Sequence, residues 1–184
     1  MNFSVPLKRL QRRMKTLNGY KTFYPDAMAD SAYAIDYREL YARGIRGLSF
    51  DIDNTLVPHG ADADERAVRL FETLREIGFA TCLLSNNREE RVLRFNREIG
   101  SLYLYKADKP SVRGYREAMK RMGTKRKTTV FIGDQLFTDV WGAKRTGIYS
   151  ILVKPIDPHE EIQIVLKRFL EKPILRKFEK ELEK

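Results

Sequence analysis

Two residue types that staple many small proteins are nearly absent. The 184 residues contain one cysteine, Cys82, set in the apolar run Phe79-Ala80-Thr81-Cys82-Leu83-Leu84. A single thiol closes no internal disulfide. With His59 and His159 as the two histidines, no Cys/His cluster has the spacing of a zinc site. Cys82 therefore reads as a reduced core residue, compatible with a reducing compartment. Long apolar runs are missing too: none approaches the roughly 20 residues needed to span a bilayer. The N-terminus lacks the continuous apolar core of a signal peptide. Acid is absent from residues 1–25, which carry Lys8, Arg9, Arg12, Arg13, Lys15 and Lys21, six of the ten net positive charges.

What is present suits one globular domain. Hydrophobic residues make up 42% and charged residues 33%, too apolar for a disordered chain and ordinary for a packed one. The positive balance favours anionic partners: nucleic acid, an anionic membrane surface or phosphorylated substrates. The arginine-rich start has a loose likeness to a mitochondrial transit peptide, but it runs into the domain without an evident processing site. The expected location is cytoplasmic, at most peripheral at the inner face of a membrane.

Residues 4–17 have the spacing of an amphipathic helix, with Leu7, Leu10, Met14 and Leu17 on one face. Two readings stand side by side: a helix docked on its own domain, or a surface helix on anionic lipid. From Ile45 onward apolar strands alternate with helical patterns. Strands are expected over 47–51, 79–85, 102–105, 128–133 and 148–153. Helices are expected over 64–78, 88–99, 111–122 and 138–146. Such alternation predicts right-handed crossovers, a central parallel sheet with helices on both faces, and ligands at the carboxyl ends of the strands. A further helix is expected from about His159, broken or kinked at Pro173. The expected organisation is a basic segment 1–20, a domain 21–158 and a basic helical segment 159–184.

Four short strings carry chemistry, each at a strand end. In Phe50-Asp51-Ile52-Asp53-Asn54-Thr55 two acids lie two apart, on one side of an extended segment. Carboxylates so close need a cation or a proton between them, and hard oxygen ligands suit magnesium. A polar turn is the bland alternative. Ser85-Asn86-Asn87 follows a strand and can donate to phosphate oxygens, though alone it is ordinary capping chemistry. Lys109, before Pro110, offers a cation at a helix entrance, and a lone lysine is usually only solvated surface. Gly133-Asp134 ends a strand, with Asp139 five residues on. Asp139 would equally serve a helix's first turn. His59 and His159 read as surface residues, with His59 close enough to the first string for a substrate contact.

Taken together and in this order, the strings resemble the haloacid dehalogenase (HAD) superfamily of phosphohydrolases. The strings Phe-Asp-Ile-Asp-Asn-Thr-Leu-Val, Ser-Asn-Asn, Lys-Pro and Gly-Asp-Gln-x-x-Thr-Asp-Val, with Tyr24-Pro25-Asp26 before them and Leu152-Val153-x-Pro155 after, are similar to the YqeG-type class IIIA branch. That branch is similar in turn to mitochondrial phosphatidylglycerophosphate phosphatases. The resemblance implies a Rossmann-like α/β fold and a Mg2+-dependent phosphatase. It implies Asp51 as nucleophile, Asp53 as acid and base, and Lys109 as charge partner. Ser85, Asn86 and Lys109 would bind phosphate. Asp51, Asp53, Asp134 and Asp139 would hold the metal, and Thr55 would orient the loop. The gaps between the strings are too short for a cap domain, so an open site is expected. An open site suits a phosphate on something large, and with basic amphipathic ends a lipid-borne phosphate such as phosphatidylglycerophosphate, with peripheral membrane contact. No specific nucleic-acid binding is expected, since no nucleic-acid module is recognisable. A soluble phosphatase on a nucleotide, sugar phosphate or nucleic-acid end, and a non-catalytic phosphate-binding scaffold, are the alternatives.

Overall fold

The computed structural model describes residues 22–157 and 162–182. The expected amphipathic helix over 4–17 and His159 lie outside the described residues.

Strand β2 (Gly47–Phe50) is buried along its whole length and pairs with β3 (Ala80–Leu84) on one side and β5 (Thr129–Gly133) on the other. Beyond β3 lies β4 (Leu102–Leu104), and beyond β5 lie β6 (Tyr149–Val153) and β1 (Ala27–Ala29). All six strands are parallel, in the order β1-β6-β5-β2-β3-β4. Their side chains alternate between the two faces. Leu83, Val130 and Ile132 pack on one face with α1 (Tyr37–Ala42), α2 (Glu65–Ile77) and α3 (Glu89–Ile99). Cys82, Leu84 and Phe131 face the other way, against α4 (Val112–Met122) and α5 (Trp141–Thr146). This is the expected α/β architecture with covered faces, and Cys82 is buried in it.

Local chemistry fixes the helix ends. The Asp64 carboxylate caps α2 by accepting from Ala67 N at 2.7 Å, and Gly78 closes it in the left-handed conformation. Ser111 caps α4 and Gly123 closes it in the same way. Trp141–Thr146 is preceded by a wide π turn over Leu136–Val140, so the expected helix over 138–146 begins late. The C-terminal helix α6 (Ile162–Leu182) runs on through Pro173, so of the break or kink expected there the break does not occur. Buried residues on both sides of the proline, Glu171 before it and Ile174 and Phe178 after it, anchor both parts to the domain.

The chain leaves β2 toward β3 and β4, then returns to add β5 and β6 on the other side. The order therefore reverses between β2 and β5, and a crevice opens there at the carboxyl ends. Among the described residues no cap domain covers it. Only a loop and α2 separate β2 from β3, and only α3 separates β3 from β4.

Candidate active site

Asp51 follows β2, Ser85 follows β3 and Asp134 follows β5, so parallel pairing alone brings three of the four strings together. Asp51, Asp53, Ser85, Asn86, Lys109 and His59 are among the residues that line one open cleft of about 170 Å³. After Asp53 the chain turns sharply. Asn54 adopts φ 60°, a left-handed conformation that asparagine tolerates, and its N–H donates to Val57 O at 2.7 Å.

Lys109 is the hinge of the charge pattern. Its ammonium lies 2.8 Å from Asp51 Oδ1 and 2.8 Å from Asp139 Oδ1, with its side chain only 2% exposed. Burial opposes that ammonium, but Asp139 and Asp51 outweigh it and hold its pKa above the ordinary lysine value. Asp51 feels the opposite balance. Burial pushes its carboxyl up to about 8; Asp139 and Asp134 add to the rise, and Lys109 opposes it. One ammonium thus faces three buried carboxylates, because Asp51, Asp134 and Asp139 offer oxygens within 4.8 Å of one another. That excess of negative charge, with oxygen as the donor on all three, fits a hard divalent cation.

The supporting contacts sort these groups. Thr55 Oγ1 donates to Asp134 Oδ1 at 3.0 Å, tying the first string to the fourth. Asp139 has both oxygens engaged: Oδ1 by Lys109, and Oδ2 by Gln135 N at 3.0 Å. It is therefore placed to orient its neighbours or to reach a cation through water. Gly133 makes room for it, since a Cβ there would lie 2.4 Å from Asp139 Oδ2 and 2.6 Å from its Cγ. Asn86, expected at phosphate, spends its carboxamide on the backbone of Lys109. Its oxygen accepts from Lys109 N at 2.7 Å, and its nitrogen donates to Lys109 O at 3.1 Å. Its side chain positions the lysine, and Asn86 also lines the cleft. Ser85 Oγ accepts from Asn87 N at 3.1 Å, and Ser85 lines the cleft.

Asn87, which the sequence placed in the second string without a role of its own, and Arg91, which it did not single out, join the site. Asn87 Nδ2 donates to Asp53 Oδ2 at 2.6 Å, and Arg91 Nη2 donates to Asp53 Oδ1 at 2.8 Å. Asn87 lies just before α3 and Arg91 on its first turn, and no local sequence signal marks either as a partner of Asp53.

Residues 60–147, which carry the second to fourth strings, match the haloacid dehalogenase-like hydrolase family. Over 156 residues the chain is 36% identical to the probable phosphatase YqeG of Bacillus subtilis, covering 84% of this chain and 91% of that protein. The chain belongs to the haloacid dehalogenase-like hydrolases. It is a phosphomonoester hydrolase of the YqeG type, acting on a phosphorylated substrate. Phosphatases of this family use a divalent cation, and the buried aspartate triad provides for one. The chain is also 27% identical over 158 residues to phosphatidylglycerophosphate phosphatase 1 of Chlamydomonas reinhardtii, spanning 80% of this chain but 59% of that protein. Among solved structures, an uncharacterized protein from Listeria monocytogenes shares the fold, with a TM-score of 0.50 and 17% identity over 64% of this chain and 85% of that one.

Proposed function

We propose that this HAD hydrolase is a magnesium-dependent phosphatase that works through an aspartyl-phosphate on Asp51 and acts on a phosphate carried by a lipid. The observation that carries the chemistry is the buried cluster in which Lys109 bridges Asp51 and Asp139 while Thr55 fixes Asp134 beside them. Asp51, the backbone carbonyl of Asp53, and Asp134 would hold Mg2+, with Asp139 behind them. When bound, the ion supplies positive charge against the phosphoryl oxygens.

The chain's own groups do the rest. An Asp51 carboxylate oxygen attacks phosphorus as the ester P–O bond breaks, and Asp53 gives its proton to the leaving oxygen. Ser85 and the neighbouring backbone N–H groups hold the phosphoryl oxygens, and Lys109 offsets their charge. Water then attacks phosphorus and Asp53 takes its proton. Inorganic phosphate leaves and the Asp51 carboxylate is restored.

Three features favour a lipid carrier. Among the described residues no cap covers the cleft. A second, apolar groove of about 160 Å³, lined by Met28, Leu152, Pro155 and Leu175, reaches Asp134 from the side of α6. On α6 itself Phe169 and Leu170 are 69% and 54% exposed, close in sequence to Lys172 and Arg176. Residues 21–158 would form the catalytic unit, with the basic segments 1–20 and 159–184 attracting anionic lipid. The relative from Chlamydomonas points the same way.

The test is Mg2+-dependent phosphate release from phosphatidylglycerophosphate in mixed micelles, beside nucleotides, sugar phosphates and a 3′-phosphorylated oligonucleotide. Preference for the lipid is expected. Turnover of soluble esters alone would keep the chemistry and remove the lipid.

A further inference from the structure

Asp53 is held more firmly than a group that only lines a cleft needs to be. Both its oxygens are engaged: Oδ1 accepts from Gly60 N at 2.8 Å and from Arg91 Nη2 at 2.8 Å, and Oδ2 accepts from Asn87 Nδ2 at 2.6 Å. The Arg91 and Asp53 side chains are 12% and 10% exposed. The guanidinium's other nitrogens, Nε and Nη1, are buried with no hydrogen-bond partner. Its planar group sits 5.8 Å from the Phe95 ring centroid. Burying a cation with two unpaired donors opposes folding, and a single ion pair compensates it poorly. An apolar side chain of similar length would serve the core at least as well. What the guanidinium adds is a fixed direction for the Asp53 carboxylate.

The same stretch also fixes the loop that follows Asp53. Arg94, three residues after Arg91, donates from Nη2 to Gly60 O at 2.7 Å and from Nε to Asp62 Oδ1 at 2.5 Å. Gly60 is thus pinned by its carbonyl to α3 while its N–H pins Asp53. Asn87, just before α3, and Arg91 and Arg94, on its first turns, together grip both Asp53 and its loop. Among the described residues no cap closes down to aim the acid.

We propose that Arg91 is a positioning residue for Asp53, setting its carboxyl group at the oxygen of the departing alcohol. The proposal rests on Asp53 being the acid. It predicts that Arg91 matters most when the leaving group needs a proton. An alkyl phosphate leaves as a strongly basic alkoxide, whereas p-nitrophenyl phosphate leaves as a stable phenolate without help.

The experiment measures kcat/KM, which reports cleavage of the ester bond, for glycerol 3-phosphate and p-nitrophenyl phosphate. The proteins are the wild type, Arg91→Met, Arg91→Lys and Asp53→Asn, each checked by thermal melting. Arg91→Met keeps the apolar stem and is expected to fold. It should lose on the order of 100-fold on the alkyl ester, the scale of a reacting group displaced by an ångström, and far less on the aryl ester. Arg91→Lys, which can still donate one hydrogen bond, should recover part of the alkyl activity. Equal losses on both esters in the Arg91 variants, with a selective loss in Asp53→Asn, would overturn the positioning role alone. Equal losses in Asp53→Asn as well would overturn the acid assignment and the positioning role with it.

Discussion

At the residue scale, the site is a problem of excess negative charge solved by one lysine and room for one cation. Asp51 shows the consequence. Its carboxyl ionises near 3.8 in the unfolded chain and near 8 in the folded, cation-free protein, mainly through burial. The folded state therefore holds a proton that the unfolded chain releases. This contribution favours folding fully below about pH 4 and is lost as pH rises through about 8. A divalent cation bound there would take the proton's place, so stabilisation by Mg2+ should grow with pH across that window. Melting curves with EDTA and with Mg2+ at several pH values measure it, and a Mg2+ effect independent of pH would contradict it. Gly133→Ala tests the packing of the same cluster. The new Cβ meets not only Asp139 Oδ2 but its Cγ at 2.6 Å and Cβ at 2.8 Å, and Asp139 is pinned by Lys109 and Gln135. A loss of about 1–3 kcal/mol in urea denaturation is expected, as for other overpacked sites, together with weaker Mg2+ binding. Asp51, Asp53 and Asp134 were legible in the sequence because each stands within a few residues of a strand end. Arg91 was not, because its partner lies 38 residues away in sequence and nothing local distinguishes it from Arg88 or Arg94.

At the scale of elements, the helices whose ends were marked by Asp64, Gly78, Ser111 and Gly123 were readable to within a residue or two. Strand β1 was not. Ala27-Met28-Ala29 has no β-branched residue, and its extended form is set by its register with Ile151, Leu152 and Val153 of β6. The break expected at Pro173 also failed, because tertiary anchoring of α6 overrides the lost backbone hydrogen bond. Glu171 carries much of that anchoring: buried to 2% exposure, it accepts from Leu136 N at 2.7 Å, where the π turn below Asp134 begins. Glu171→Ala leaves that N–H unpaired and should cost about 1–3 kcal/mol, read by chemical denaturation. If α6 supports motif geometry, Mg2+ affinity should fall as well. Unchanged stability would show that α6 does not brace this turn.

At the scale of the molecule, the switch point of the sheet gathers the chemistry at one edge, in a cleft that no cap covers among the described residues. Among the described residues no helix is long and apolar enough to cross a membrane. On the lipid reading, the exposed Phe169 and Leu170 of α6 would meet the membrane surface. Phe169→Ser with Leu170→Ser should reduce flotation with anionic vesicles while p-nitrophenyl phosphate turnover stays unchanged. Equal flotation of both proteins would take α6 out of the lipid reading. The central claim, that Asp51 carries the phosphoryl group, is tested most directly by acid-quenching the enzyme during turnover with Mg2+ and locating the phosphoryl group by peptide mass spectrometry. The account expects it on the peptide containing Asp51 and absent from the Asp51→Asn protein, which should remain folded and lose activity by at least roughly 10⁴-fold. A phosphorylated residue elsewhere, or turnover retained in Asp51→Asn, would contradict it.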